Sequence, residues 1–368
     1  MKETLAVFLA TSGHSGVDRV MKNLIREVAA RGIPVDLLRT KIHGPRFDGP
    51  VSGVRTIDFS ARHVHGCLPS LVRYLNKEQP AALLTDKDRV NRTAIVARWI
   101  SGADTRLVVR TGTTVTANLW DRHGVERRLQ HFSMKWLYAK ADAVIFPSRY
   151  AADDFLRFTG LPETFVHVAP SPVIDDRFLN LIEAPLNHTW FEAGAPPVIL
   201  GVGELTERKD FPTLIRAFQM VRRQRECRLM VLGEGRERKR LESLVSELGL
   251  AEDVSLTGFI ENPYPFLRRA AVFVLASRYE GAPVVLMEAL GAGVNMVATD
   301  CPGGSAEILE YGALGSLVPV GDPVAMAREI LHRLDHPIDP LKLKGASRRY
   351  GAAYCTDRYL EILGMGII

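Results

Sequence analysis

The stretch from Val272 to Leu309, VFVLASRYEGAPVVLMEALGAGVNMVATDCPGGSAEIL, constrains the rest of the chain most. Its first run, Val272-Phe273-Val274-Leu275, is β-branched and aromatic, and short enough for a strand buried on both faces of a parallel sheet. The chain leaves that strand through Ser277-Arg278-Tyr279 to Glu280 and Gly281. A helix is predicted to start at Pro283, because the first helical position needs no backbone N–H. Val284, Val285, Leu286, Ala289 and Leu290 give it apolar sides, and Glu288 falls in its second turn. Met296-Val297-Ala298-Thr299 reads as the next strand.

A strand that runs through a glycine-containing loop into a helix makes an anion site. The helix start presents unpaired N–H groups and about half a unit of positive charge. Two carboxylates beside such a site suit hydroxyls better than phosphate. Diphosphate on the N–H groups with sugar hydroxyls on Glu280 and Glu288 describes a nucleotide-sugar. The same spacing fits an ordinary βαβ unit with two solvated glutamates.

Glu280 and Glu288 stand in the setting S-R-Y-E-G-x-P-x-x-x-x-E-A-L, with seven residues between them. This resembles the E-x7-E motif of retaining glycosyltransferases. The continuation A-T-D-C-P-G-G-S-A-E-I-L is similar to family four of that class. The likeness extends, more thinly, from the glycine loop near residue 13 to the tail. It implies an α/β protein of GT-B fold: two Rossmann-like domains facing a central cleft, with a C-terminal helix crossing back to the first.

Length and composition agree with two globular domains. The chain has 368 residues, 46% hydrophobic and 24% charged. Cys67, Cys227, Cys301 and Cys355 are scattered, without CxxC or zinc spacing, and read as reduced thiols of a cytoplasmic protein. Leu5 to Ala10 is a first strand rather than a signal peptide. No segment approaches the roughly 18 apolar residues of a membrane span. Residues 1–170 contain 25 Lys/Arg and 16 Asp/Glu, a balance of +9, whereas the remainder carries −4. A basic half on an otherwise slightly acidic chain points to an anionic partner, with nucleic acid, an acidic membrane surface and a phosphorylated acceptor as candidates, or to a solvated basic face.

Taken in order, Leu5–Leu9 reads as a strand, Thr11 to Gly16 as a tight loop, and Met21, Leu24, Ile25, Val28 and Ala29 as a helix ending at Arg31-Gly32. Gly16 would allow close approach to its backbone. Further strands are predicted at Val35–Leu38, Val54–Phe59, Ala82–Leu84, Leu107–Val109, Ala143–Phe146 and Phe165–Ala169, with helices from Leu71 and over Asn91–Ile100. Arg127 to Lys140 is a basic amphipathic helix. Its Phe132 and Trp136, beside Arg127, Arg128, Lys135 and Lys140, suit a membrane surface. We place them first in the core. Residues 170 to 197 read as an irregular linker. Strand–helix alternation restarts at Val198–Val202 and continues through Leu229–Leu232, Val254–Phe259 and Val272–Leu275. We expect a first domain over 1–170, a second over 171–346, and a returning helix over 347–368.

The segment Gly201 to Asp210, GVGELTERKD, resembles the family's G-x-G-R-L-x-x-x-K-[GD] stretch, where an Arg and a Lys grip the donor diphosphate. Lys209 fits. Glu204 stands at the arginine position, and Arg208 is the substitute. The resemblance implies further roles. Thr257 to Ile260, with Phe259, borders the base, and Glu288 holds the ribose hydroxyls. The diphosphate lies on Arg208, Lys209, the Gly203 loop and the N–H groups after Gly281. Glu280 with Ala282, Pro283, Val284 and Val285 holds the hexose, while the loop of Gly16 faces the cleft. Many relatives carry a histidine near Gly112; it is absent here, and His123 is the replacement, with His14 and Arg110 completing the acceptor side.

The function so implied is retaining transfer from a nucleotide-sugar, UDP first, to a glycan or lipid-linked acceptor at or near the inner face of the cytoplasmic membrane. No metal, other cofactor or nucleic acid partner is implied. No carboxylate attacks; the acceptor hydroxyl approaches the face from which the diphosphate leaves, and domain closure excludes water. Alternatives are another GT-B enzyme, a phosphorylase or a sugar-nucleotide epimerase, and a degenerate nucleotide-sugar-binding protein without activity, which Glu204 and the missing histidine motivate.

Overall fold

A computed structural model describes residues 3–13, 15–119 and 124–366, and the backbone alone of residues 118 and 125–127. The chain divides into two compact units, Met1–Val173 with Arg349–Ile368, and Ile174–Arg348.

The first unit is built on seven parallel strands: β1 (Leu5–Leu9), β2 (Val35–Arg39), β3 (Val54–Asp58), β4 (Ala82–Asp86), β5 (Arg106–Arg110), β6 (Ala143–Phe146) and β7 (Val166–Val168). They lie in the order β3-β2-β1-β4-β5-β6-β7. Central strands such as LAVFL and AVIF are apolar at every position because helices cover both faces of the sheet. The edge strand β3, VRTID, carries charges where no neighbour covers it. The helix Gly16–Ala30 starts with a capping box, Ser15 accepting from the Asp18 N–H while the Asp18 carboxylate accepts from the Ser15 N–H.

The terminal helix, Ala352–Leu363, belongs to this unit. Its Asp357 pairs with Arg31, and the Arg106 Nε donates to the Ile362 carbonyl at 2.8 Å. Tyr359 is fully buried.

The second unit has six parallel strands: β8 (Val198–Val202), β9 (Arg228–Leu232), β10 (Val254–Gly258), β11 (Val272–Leu275), β12 (Asn295–Thr299) and β13 (Ser316–Val318). Their order is β10-β9-β8-β11-β12-β13. In both units the order reverses beside the first strand, and such a switch point leaves a crevice at the carboxyl ends of the two strands flanking it. In the second unit those strands are β8 and β11.

Several sequence expectations are corrected. The stretch after Ser171 is not irregular throughout: Asp176–Ile182 is a helix capped by Asp175, whose Phe178 packs edge-on against Tyr264. Strand β13 and the helices Arg149–Thr159 and Pro323–Asp335 went unread. Phe132 and Trp136 are not core residues. The inner face of the helix Val125–Tyr138 is supplied by Met134 and Tyr138, leaving Phe132 69% and Trp136 51% exposed. No helix among the described residues is long and apolar enough to cross a membrane.

Candidate active site

The two loops that leave β8 and β11 at the switch point carry the candidate donor residues. After Val202 the chain passes Gly203 and Glu204 and forms one tight turn, Glu207–Lys209, which ends in Asp210 with a left-handed φ of 46°. After Leu275 it passes Ser277 and Glu280 into the helix Val284–Ala292. Pro283 caps that helix and is not its first residue, so the helix starts one position later than predicted. The loops are tied together: the Arg278 N–H donates to the Arg208 carbonyl at 2.8 Å, and the Arg278 guanidinium pairs with Glu207 and Asp210.

Glu280 lies at the centre. It is 7% exposed, and Lys209 Nζ stands 2.6 Å from its Oε1 and Arg208 Nη1 2.7 Å from its Oε2. The Ser277 hydroxyl donates to the same Oε1 at 2.8 Å. Burial alone would push this carboxyl up, but the Lys209 ammonium and the Arg208 guanidinium outweigh it and hold it at about 2. Glu280 is therefore a fixed anion and a poor base, and it neutralises the cations expected to hold the diphosphate.

Glycine makes this packing feasible. A Cβ on Gly303 would come within 2.1 Å of the Glu280 carbonyl, and one on Gly233 within 1.8 Å of the Gly203 carbonyl. The C-P-G-G loop clamps the Glu280 loop by backbone: Glu280 N–H donates to Pro302 at 2.9 Å and Gly304 N–H to Gly281 at 2.7 Å. The Thr299 hydroxyl reaches the Ser277 carbonyl at 2.5 Å from the end of β12.

Glu288 sits on the helix after Glu280, 1% exposed, with the Tyr264 hydroxyl donating to its Oε1 at 3.2 Å. Ala282, Pro283, Val284 and Val285 line the start of that helix, whose positive dipole end faces the same loop. Phe259 directly follows β10 and is 59% exposed.

Glu204 is exposed and forms no ion pair among the described residues, so it neither replaces the arginine nor engages Arg208 or Lys209. Both cations sit on Glu280 instead.

The residues expected on the acceptor side fare differently. His14 and His123 lie outside the described residues. Gly16 is the first residue of its helix in the first unit. Arg110 is 2% exposed, pairing with Asp86 through Nη1 and donating to Tyr359 Oη at 2.9 Å and Ser171 Oγ at 2.9 Å. It ties β5 to the terminal helix.

Sequence reasoning missed Ser277, Tyr264, Thr299 and Gly303. Their hydroxyls and backbone act on Glu280, Glu288 and the loop between them only after β11, β12 and their helices are assembled. Among the described residues, no group of three or more His, Cys, Asp or Glu is placed to hold a metal ion.

Residues 196–336 match the family model described as glycosyl transferases group 1, and residues 15–172 match the glycosyl transferase 4-like domain. A curated relative from Campylobacter jejuni is 27% identical over 337 residues, covering 88% of each chain. It is named N-acetylgalactosamine-N,N'-diacetylbacillosaminyl-diphospho-undecaprenol 4-alpha-N-acetylgalactosaminyltransferase. The lipopolysaccharide core biosynthesis glycosyltransferase LpsD of Rhizobium meliloti is 33% identical over 175 residues, 46% of this chain and 50% of its own. Among solved structures, HepE of Anabaena in complex with UDP and glucose superimposes with a TM-score of 0.79 at 16% identity, covering 98% of this chain and 99% of that one. The lipopolysaccharide outer core galactosyltransferase WaaB gives 0.73 at 17% identity over 98% and 99%. These two likenesses carry the fold.

Proposed function

The chain belongs to the GT-B glycosyltransferases, with a 4-like domain followed by a group 1 domain, and from that premise we propose that it transfers a hexose from a UDP-sugar, with retention of configuration, to a hydroxyl of a lipid-linked glycan or polysaccharide acceptor. The observation that carries the donor reading is the Arg208–Glu280–Lys209 cluster at the carboxyl ends of β8 and β11. The diphosphate exchanges with Glu280 for the two cations, and the N–H groups at the start of the helix Val284–Ala292 take its remaining oxygens. Glu280, released in part, accepts from hexose hydroxyls, Glu288 from the ribose, and Phe259 stacks on the base.

The C1–O bond to the diphosphate breaks as the acceptor oxygen bonds C1 on the same face, and the acceptor proton passes to the leaving phosphate. A carboxylate held near 2 by two cations is suited to charge stabilisation and positioning, not to attack. The reaction needs no metal in this reading. UDP and a lipid-linked acceptor are favoured because the Anabaena structure holds UDP and glucose and the Campylobacter relative is named for a diphospho-undecaprenol acceptor. Such an acceptor places the enzyme at the inner face of the cytoplasmic membrane.

Thermal-shift measurements with UDP, GDP and ADP compounds test the donor. A ligand at 100 times its Kd stabilises by about 2.7 kcal/mol, and UDP is expected to give the largest shift. Absence of a shift with all three nucleotides would remove the reading.

Calorimetric titration of UDP tests the residue roles. Arg208→Ala is expected to lose about 1.5–3 kcal/mol of donor interaction, the range of a charge-assisted bond. Glu204→Ala is expected to be nearly neutral, since Glu204 pairs with neither cation. An Arg208→Ala protein with unchanged affinity and turnover contradicts the assignment. Glu288→Ala is expected to weaken UDP and the UDP-sugar by similar factors, because the ribose is common to both. Selective loss of the sugar conjugate would instead place Glu288 at the hexose.

A further inference from the structure

We propose that a patch of the first unit, formed by Trp99, Ile100, Leu129, Phe132 and Trp136 around Lys135 and Lys140, is a docking surface for an anionic lipid bilayer. The five apolar side chains are each between 51 and 69% exposed, far more than isolated surface residues of their size need be. Trp99 and Ile100 end the helix Asp88–Ser101, and Leu129, Phe132 and Trp136 share one face of the adjacent helix Val125–Tyr138. Phe132, Lys135, Trp136, Ala139, Lys140 and Leu161 line a groove of about 390 Å³.

The charges identify the partner. Lys140 Nζ lies 4.5 Å from the Trp136 ring centre and 5.7 Å from that of Trp99, so a cation stands between two indoles. Residues 127–141 include four basic residues and no acid. The next acid, Asp142, is already engaged, paired with Arg98 at 3.2 Å and accepting from the Leu107 N–H at 2.7 Å. Indole rings prefer the headgroup boundary of a bilayer, where one edge is wet and the body apolar. Lysine stems lie along apolar surface while their ammonium groups reach lipid phosphates.

A second copy of the chain fits poorly, because a self-complementary contact would set Lys135 and Lys140 against the copy's own basic stretch, whose residues 127–141 contain no acid. A nucleic acid strand would use the indoles and cations but leave Ile100 and Leu129 without partners. A bilayer takes all of them. None of these residues belongs to the proposed donor site, so the surface is testable by itself.

The test is co-sedimentation of the full chain with vesicles of phosphatidylcholine, with and without phosphatidylglycerol, at low and high salt. Binding is expected to the anionic vesicles only, and to fall with salt as screening shortens to about 8 Å at physiological ionic strength. Lys135→Gln and Lys140→Gln are each expected to weaken it about fivefold. Trp99→Ser with Phe132→Ser and Trp136→Ser is expected to abolish it and the accompanying blue shift of tryptophan emission. Thermal melting should be little changed, since these side chains are exposed. Equal binding to neutral vesicles, no binding at low salt, or undiminished binding of the triple variant would each overturn the proposal. So would patch-dependent self-association or single-stranded nucleic acid binding in a protein that ignores vesicles.

Discussion

Glu280→Gln is expected to lower kcat by about 10²–10³, the scale of removing one preorganised electrostatic group, while UDP binds at least as tightly as to the parent. The two halves of that expectation have one cause. Glu280 holds Lys209 and Arg208, and in the proposed reading a donor diphosphate displaces it to reach them. Glutamine keeps the shape and the Ser277 contact but removes the competition for the cations, and with it the anion that positions the hexose. The same substitution leaves the Lys209 side chain, 10% exposed, without its counter-charge. Breaking a buried pair costs about 3 kcal/mol or more, so the free variant is expected to melt earlier. Added UDP supplies the missing negative charge, and its thermal shift should be larger in the variant than in the parent. Unchanged turnover with an unchanged melting temperature would remove Glu280 from the centre of the site.

The acid dependence follows from the same contacts. The Glu280 carboxyl is held at about 2 in the folded chain against an ordinary 4.5. A depressed carboxyl contributes stability that is fully present above its unfolded value and lost as pH falls through the folded one. The window is therefore pH 4.5 to about 2, and the contribution is about 3 kcal/mol at most. In acid-unfolding curves the stability difference between the parent and Glu280→Gln should shrink across that window. A difference that stays constant to the lowest pH would show that the ion pairs do not shift this group.

The strands were legible because a parallel strand covered on both faces must be apolar at successive positions, and runs such as VFVL, RLMVL and LAVFL have few other uses. Spacing and resemblance singled out Glu280, Glu288 and Lys209 as candidates. What engages them was not legible. Glu280 is paired from a turn 71 residues earlier and supported by Thr299 and Gly303, and no local pattern announces a contact that depends on two loops meeting. The exposed Phe132 and Trp136 show the converse limit. An aromatic stripe at helical spacing reads equally as core or surface until the inner face is seen to be filled by Met134 and Tyr138. The contacts of Arg110 were hidden for a similar reason: its partner Tyr359 lies 249 residues away.

Arg110→Ala is expected to cost about 3–5 kcal/mol of stability, as removal of one member of a buried ion pair does. Arg110 and Asp86 are 3% and 1% exposed, and the Asp86 Oδ1 already has no hydrogen-bond partner among the described residues. Burial works against the charge of Arg110, yet Tyr359 and Asp86 hold the guanidinium's pKa above its ordinary value. Alanine therefore leaves a buried carboxylate unpaired and frees Ser171 and the Tyr359 hydroxyl together. The damage should concentrate where Arg110 ties the ends of the unit: amides of Ala352–Leu363 are expected to exchange with solvent faster than those of β1 or β4. Arg110→Met combined with Asp86→Leu is the control. Replacing a buried pair by apolar groups of similar volume is often neutral or stabilising, so the double variant should recover much of the loss in urea unfolding, though the Tyr359 hydroxyl stays without its donor. If both proteins lose stability equally, the charge left on Asp86 is not the cause. If Arg110→Ala stays within about 1 kcal/mol of the parent, the ordinary scale of a surface change, the buried tie between the sheet and the terminal helix does not carry the stability assigned to it.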